Sequence, residues 1–131
     1  MPGRRHERGS NAVEFALCLP VLLVLATEVV DLGMYLDAVS AVEAAAQDAG
    51  RVAVATPYTE DAAAEGKARA LEHLAPLSGR IHSAKVTTLL VRDTTLDADL
   101  LTIEVTAKAN PLVGLLSSPT DLKAQVTVLV E

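Results

Sequence analysis

The run from Ala12 to Leu36 most constrains what this chain can fold into. Its twenty-five residues carry three charges, Glu14, Glu28 and Asp31, and the inner stretch from Phe15 to Thr27 carries none. A bilayer core asks for about 20 mostly apolar residues in helical form. The run is therefore long enough to span one, with acids near both of its ends. Arg4, Arg5 and Arg8 precede it, and the next Lys or Arg is Arg51. That asymmetry predicts a cytoplasmic N-terminus and a C-terminal part on the far side.

Glu14 separates the ways of reading this run. A carboxylate in hydrocarbon costs roughly 2.5–3.5 kcal/mol on insertion scales, so it is kept for a reason. A secretory signal peptide has a basic start and about 7–15 apolar residues without such an acid. A cut between Gly9 and Ser10 would place the new α-amine one helical turn from Glu14, within reach on the same helix or on a neighbour. With an α-amine pKa near 7.7–8.0, the two charges could neutralise each other in lipid. This is the logic of a class III, prepilin-type leader: glycine precedes the cut and the apolar segment stays attached.

The residues also carry a resemblance. Arg8-Gly9-Ser10-Asn11-Ala12-Val13-Glu14-Phe15-Ala16-Leu17, followed by Leu19-Pro20 and a Leu/Val run, resembles the N-terminus of TadE-like proteins, minor pilins or pseudopilins of the tight-adherence (Tad, Flp-type) pilus system. Ala49-Gly50-Arg51-Val52-Ala53 resembles the family's small-residue, Gly-Arg helix end. Ala124 to Glu131 resembles its terminal strand and final acid. Cys18 is a departure, since the motif does not require it. The resemblance implies processing at Gly9 and Ser10 by a prepilin peptidase. It also implies recognition or assembly through Glu14 and Phe15, and topology set by Arg4, Arg5 and Arg8. Implied partners are TadF-like minor pilins, the Flp pilin or assembly platform, and inner-membrane lipid.

Composition bounds the rest. A chain of 131 residues holds one domain. Half its residues are hydrophobic, yet Phe15, Tyr35 and Tyr58 are its aromatics, so the core must be built from Ala, Val and Leu. Net charge is −6, and removal of residues 1–9 would take away three Arg and one Glu. An acidic balance argues against nucleic-acid binding, which needs clustered Lys and Arg, and against a peripheral anionic-membrane surface. One cysteine permits no intramolecular disulfide.

Residues 1–9 lack hydrophobic periodicity and read as disordered before a peptidase binds them, or as a plain basic flank. A long helix is expected from Asn11, with a modest kink at Pro20. Past Thr27 the pattern turns amphipathic: Leu32, Leu36, Val39, Val42, Ala46, Ala49 and Ala53 form one stripe, with Glu28, Asp31, Asp37, Glu43, Gln47 and Asp48 off it. The patch Ala44-Ala45-Ala46 would let another backbone come close. Thr56-Pro57 is the natural stop.

Thr59 is a good N-cap for a second helix, with Glu60 and Asp61 in its first turn. Its thin apolar face is Ala62, Ala68, Leu71, Leu74 and Ala75, weakened by Gly66, and Pro76 closes it before a linker at Leu77-Ser78-Gly79. Three strands follow. Ile81 to Arg92 is β-branched but ambiguous in alternation. Leu101 to Ala109 turns Leu101, Ile103, Val105 and Ala107 inward, and Leu122 to Val130 does so with Leu122, Ala124, Val126, Val128 and Val130. The first two form a hairpin around residues 93–99. Asn110-Pro111 breaks the second strand, and Leu112 to Leu116 reads as a short turn of helix.

Chemical constellations are thin. Asp93, Asp97 and Asp99 are weak candidates for Ca²⁺, which wants six to eight oxygens; three acids in a turn also read as a solvated loop. His6, His73 and His82 lack metal spacing and read as solvent-facing. Cys18, without a basic neighbour, reads as a structural thiol. No phosphate-cradling loop, nucleophile elbow or paired-His motif occurs, so neither catalysis nor a cofactor is expected.

The expected architecture is α+β: a long N-terminal helix with a transmembrane and an amphipathic half, a short second helix, and a three-stranded antiparallel sheet. It divides into a leader (1–9), a transmembrane segment (10–36) and a periplasmic domain (37–131). The resemblance implies a peptidase-processed minor pilin that assembles or primes a Tad pilus from the inner membrane and is no enzyme itself. Two alternatives stay open. One is a secreted periplasmic binding domain cut after Val24-Leu25-Ala26. The other is an uncleaved single-pass anchored domain.

Overall fold

The computed structural model describes residues 6–57, 59–114 and 120–130, with the side chains of 6–10, 59 and 60 left out. Helix α1 (His6–Ala55) is followed by α2 (Thr59–Leu74) and a 3₁₀ turn (Ala75–Leu77). Three strands complete the chain: β1 (Ile81–Asp93), β2 (Ala98–Ala109) and β3 (Asp121–Val130). The strands form one antiparallel sheet in the order β1-β2-β3. This is the expected α+β arrangement. The two helices lie against the sheet, α1 over β2 and β3 and α2 over β1 and β2.

Helix α1 is 50 residues long, with Pro20 inside it, which at 1.5 Å per residue is about 75 Å. It starts at His6, so the expected disorder of the leader does not hold for residues 6–9. Adding a residue to an existing helix is far cheaper than nucleating one, and the strong helix of the apolar run extends backwards. Its end at Ala55 matches the stop expected from Thr56-Pro57.

The buried face of α1 is Ala38, Val42, Ala45, Ala46, Ala49 and Ala53, with Val39 packed beside it. The expected stripe is right from Val39 onward and wrong before it: Leu32 and Leu36 are exposed, while Asp31, read as off the stripe, is buried. The sheet ends near Tyr35, whose hydroxyl donates to the Asp121 carbonyl at the start of β3. Among the described residues no strand lies below that level to cover Leu32.

On α2 the buried face is Ala62, Gly66, Ala70 and Leu74, a strict four-residue repeat. Ala68, Leu71 and Ala75 of the expected face are exposed. Gly66, a weak point by helix propensity, lies on this buried face. It is the point of closest approach: a Cβ there would lie 2.9 Å from Ile103 Cδ1, 3.1 Å from the Ala49 carbonyl oxygen and 3.4 Å from Ala53 Cβ. Between the helices Arg69 bridges Asp48 and Glu72, and His73 lies beside Asp48.

Strand β2 is central and buries Leu101, Ile103, Val105, Ala107 and Ala109. The inward face assigned to the last strand also holds, with Leu122, Ala124 and Val130 buried and Val126 and Val128 packed against the core. Two features blur β1: Leu89, Leu90 and Val91 are all exposed, and the register shifts between His82 and Lys85, where Ser83 has a φ of 54°. A bulge there moves one residue out of the alternation. Strands β1 and β2 run further than expected, to Asp93 and from Ala98. Leu112 and Val113 form a bend rather than a turn of helix, and residues 115–119 of that reading lie outside the described residues.

Candidate functional site

The most unusual feature of the molecule is the first half of α1. Every residue from Asn11 to Ala26 is exposed, including Phe15, Leu17, Leu22, Leu23 and Leu25. The helix is long and apolar enough to cross a membrane. Water does not tolerate an apolar surface of this extent on a soluble monomer, so lipid or other helices must cover it.

Glu14 and Phe15 stand on this exposed half. Gly9 and Ser10 lie within the first turns of the helix, so residues 10 and 14 are four apart on one helical face. The side chains of Arg8 and Ser10 lie outside the described residues, as do Arg4 and Arg5 altogether. Cys18 is a free thiol on the exposed half.

At the end of the apolar run sits a feature that sequence reasoning missed. Asp31 is 3 % exposed and accepts three backbone hydrogen bonds from the other end of the chain. Leu112 N–H donates to Oδ1 at 2.8 Å, and Val113 and Gly114 N–H donate to Oδ2 at 3.3 and 3.2 Å. Such bonds to an ionised acceptor are roughly twice as strong as neutral ones. They offset the cost of burying the carboxylate and clasp the loop after β2 to the helix. Gly114 completes the turn with a φ of 62°, a left-handed conformation that suits glycine. A conspicuous Asp after a long apolar run was the available signal; nothing in the sequence pairs it with residue 112.

Higher up, α1 and β3 approach closely. A Cβ at Gly50 would meet the Val126 and Val128 methyls at 3.1–3.2 Å, so the Gly-Arg pair near the helix end permits this packing. Beside it an open groove is lined by Gln47, Gly50, Arg51, Val54, Val126 and Val128.

The three acids of the β1–β2 turn are engaged locally. Asp93 accepts from the Thr95 and Leu96 amides, while Asp97 and Asp99 face Arg92. Among the described residues no group of three or more His, Cys, Asp or Glu side chains is placed to hold a metal ion. His82 shares a hydrogen bond with Asn110 and remains exposed.

No significant match to the chain is found among curated proteins or solved structures. A family model does match, from Gly9 to Arg51. Over residues 9–51 the chain matches the family described as TadE-like protein, the family its opening residues resemble.

Proposed function

We propose that this protein is a membrane-anchored minor pilin or pseudopilin that takes part in assembling or priming a Tad pilus. The observation that carries the reading is one continuous helix that is exposed and mostly apolar from Asn11 to Ala26 while its second half packs into the core of a folded domain. The TadE-like match supports a Tad-pilus association for that same helix. Asn11 to Val30 is twenty residues, about 30 Å of helix, which equals the hydrocarbon thickness of a bilayer. The arginines before it keep the N-terminus cytoplasmic and the domain periplasmic.

In this reading a prepilin peptidase cuts between Gly9 and Ser10. The chain is its substrate and no enzyme. The mature α-amine at Ser10 and the Glu14 carboxylate then pair within or between helices, which lowers the cost of carrying an acid into lipid. Assembly partners are other minor pilins and the Flp pilin or platform.

Intact mass or N-terminal sequencing of membrane-extracted protein separates this reading from its alternatives. A Ser10 N-terminus is expected. An N-terminus just after Ala26 would establish a secreted domain, and an intact leader an uncleaved anchor. Replacing Gly9 with a bulky residue should leave the precursor uncut, because a subsite shaped for glycine has no room for a side chain. Maturation to Ser10 in that variant would remove the class III reading.

A further inference from the structure

The Asp31 clasp places an apolar part of the β2–β3 loop, Leu112 and Val113, beside the point where α1 leaves its exposed half. Leu112 is 64 % and Val113 45 % exposed, although both backbone amides are held by a buried side chain. The position along the helix is fixed by several bonds. Ala109 N–H donates to the Thr120 carbonyl, Asn110 N–H to the Arg80 carbonyl, and the Tyr35 hydroxyl to the Asp121 carbonyl. The loop therefore leaves the sheet at the level of Tyr35 and reaches back to Asp31, about 6 Å nearer the apolar run. Residues 109–120 contain no charged side chain. Val30 and Leu32 flank Asp31 on the helix and are exposed, with Thr27 and Glu28 half-buried one turn below it, so apolar side chains border the clasp on both of its sides.

We propose that Leu112 and Val113 form a second, shallow membrane contact: they insert into the headgroup–acyl boundary beside the emerging helix, held at that depth by Asp31. The occupant of this surface is lipid, because the patch continues the segment read as the bilayer span, on which reading this inference rests. Apolar side chains of interfacial elements enter roughly 5–10 Å into that boundary. Two contacts, one through the span and one through the loop, would fix the rotation and tilt of the domain over the membrane. A single helix leaves both free. Asp31 acts here as a positioning residue: its carboxylate ties the loop to the helix and need not touch lipid itself.

The test uses the full chain in phosphatidylethanolamine–phosphatidylglycerol vesicles, with Cys18→Ala as background and an environment-sensitive fluorophore on one introduced cysteine. Labels are placed at Val113, at Leu23 in the exposed half-helix, and at Leu89 on the sheet. Lipids carry a nitroxide either just below the headgroup or near the chain end. The Leu23 label should be quenched best by the deep nitroxide, the Val113 label blue-shifted and quenched best by the shallow one, and the Leu89 label unaffected. A Val113 label that behaves like Leu89 while Leu23 is quenched overturns the loop contact and leaves the span intact. An unquenched Leu23 label overturns the span reading and the inference with it. A blue-shifted Val113 label that no lipid nitroxide quenches means that protein covers the loop, which also overturns the proposal. In an Asp31→Asn background most of the Val113 quenching should be lost with Leu23 unchanged. Equal quenching in both backgrounds would overturn the role given to Asp31.

Discussion

The two halves of α1 use opposite kinds of apolar residue. From Val13 to Val30 the exposed face is built from Val, Leu and Phe15, among the largest apolar side chains in the protein. From Ala38 to Ala53 the buried face is alanine with one valine, Val42. Size runs against burial because the two halves meet different neighbours. In the membrane-anchored reading, large side chains maximise apolar area where fluid lipid can conform to them. Alanines and Gly50 let a rigid sheet and a second helix come within backbone reach, and interiors of native packing density reward small residues that leave no void. A hydropathy average ranks the first half as the better core; the fold uses the second.

The sharpest way to break this comparison is to remove the surface that the small residues pack on. Val105 is fully buried on the central strand, facing the helices. Val105→Asp would bury an unpaired charge, which costs several kcal/mol or unfolds the domain. A fragment beginning near Asp31 should be soluble, show native circular dichroism and melt cooperatively, and the variant should do neither of the last two. A variant with wild-type melting would place the core elsewhere.

Next in size is the acid of the exposed half, where large residues are interrupted once near the start. If Glu14 neutralises the Ser10 amine in the assembled state, Glu14→Ala should leave insertion and cleavage intact and impair assembly. Breaking one side of a buried pair costs about 3–5 kcal/mol. Glu14→Gln should fall between the two, keeping a hydrogen bond without the charge. Co-purification with partner minor pilins and counts of surface pili read the effect. Normal pili in Glu14→Ala would reject the pairing, and loss of cleavage would move its role to peptidase recognition.

Smaller again is the helix crossing. Gly66→Ala should destabilise the domain by about 1–3 kcal/mol, the usual cost of overpacking, because the Ala49 carbonyl that its methyl meets is backbone and cannot rotate away. The gain in helix propensity, about 1 kcal/mol, offsets part of this. Urea denaturation of the fragment measures the balance, and a stabilised Gly66→Ala variant would show that the helices can separate without loss.

These contrasts also explain which parts of the molecule could be read from the sequence. Strands β2 and β3 were legible because each has one buried face, and Leu101, Ile103 and Val105 alternate with polar neighbours. The stop of α1 was legible because proline acts on its immediate neighbour. Strand β1 resisted because Leu89, Leu90 and Val91 are all exposed, so no buried face imposes alternation there, and a bulge interrupts it near Ser83. The face of α2 was poorly legible because alanines occur all round the helix and contrast little with one another, and because propensity marks Gly66 as weak when it lies on the buried face. The Gly9–Glu14 stretch was legible as a motif. The Asp31 clasp was not, since its partners are backbone amides 81 to 83 residues away, and an amide leaves no trace in residue type.

The smallest expected effect tests the other half of the comparison. Leu23 is 59 % exposed in the middle of the apolar run, within a stretch from Asn11 to Ala26 in which no residue is buried. Leu23→Ala therefore removes no contact with the folded domain, and alanine is at least as good a helix former as leucine. Thermal unfolding of the detergent-solubilised full chain should have the same midpoint in variant and parent. Membrane insertion should weaken by no more than about 0.5 kcal/mol, the order of a central leucine's contribution. The same Leu→Ala truncation at a buried site such as Leu101 should cost about 2–5 kcal/mol, so the two variants differ by burial alone. A lowered midpoint for Leu23→Ala would mean that the exposed half folds back onto the domain or onto a second copy that contributes to its stability. The division of α1 into a lipid-facing half and a core half would then have to be abandoned.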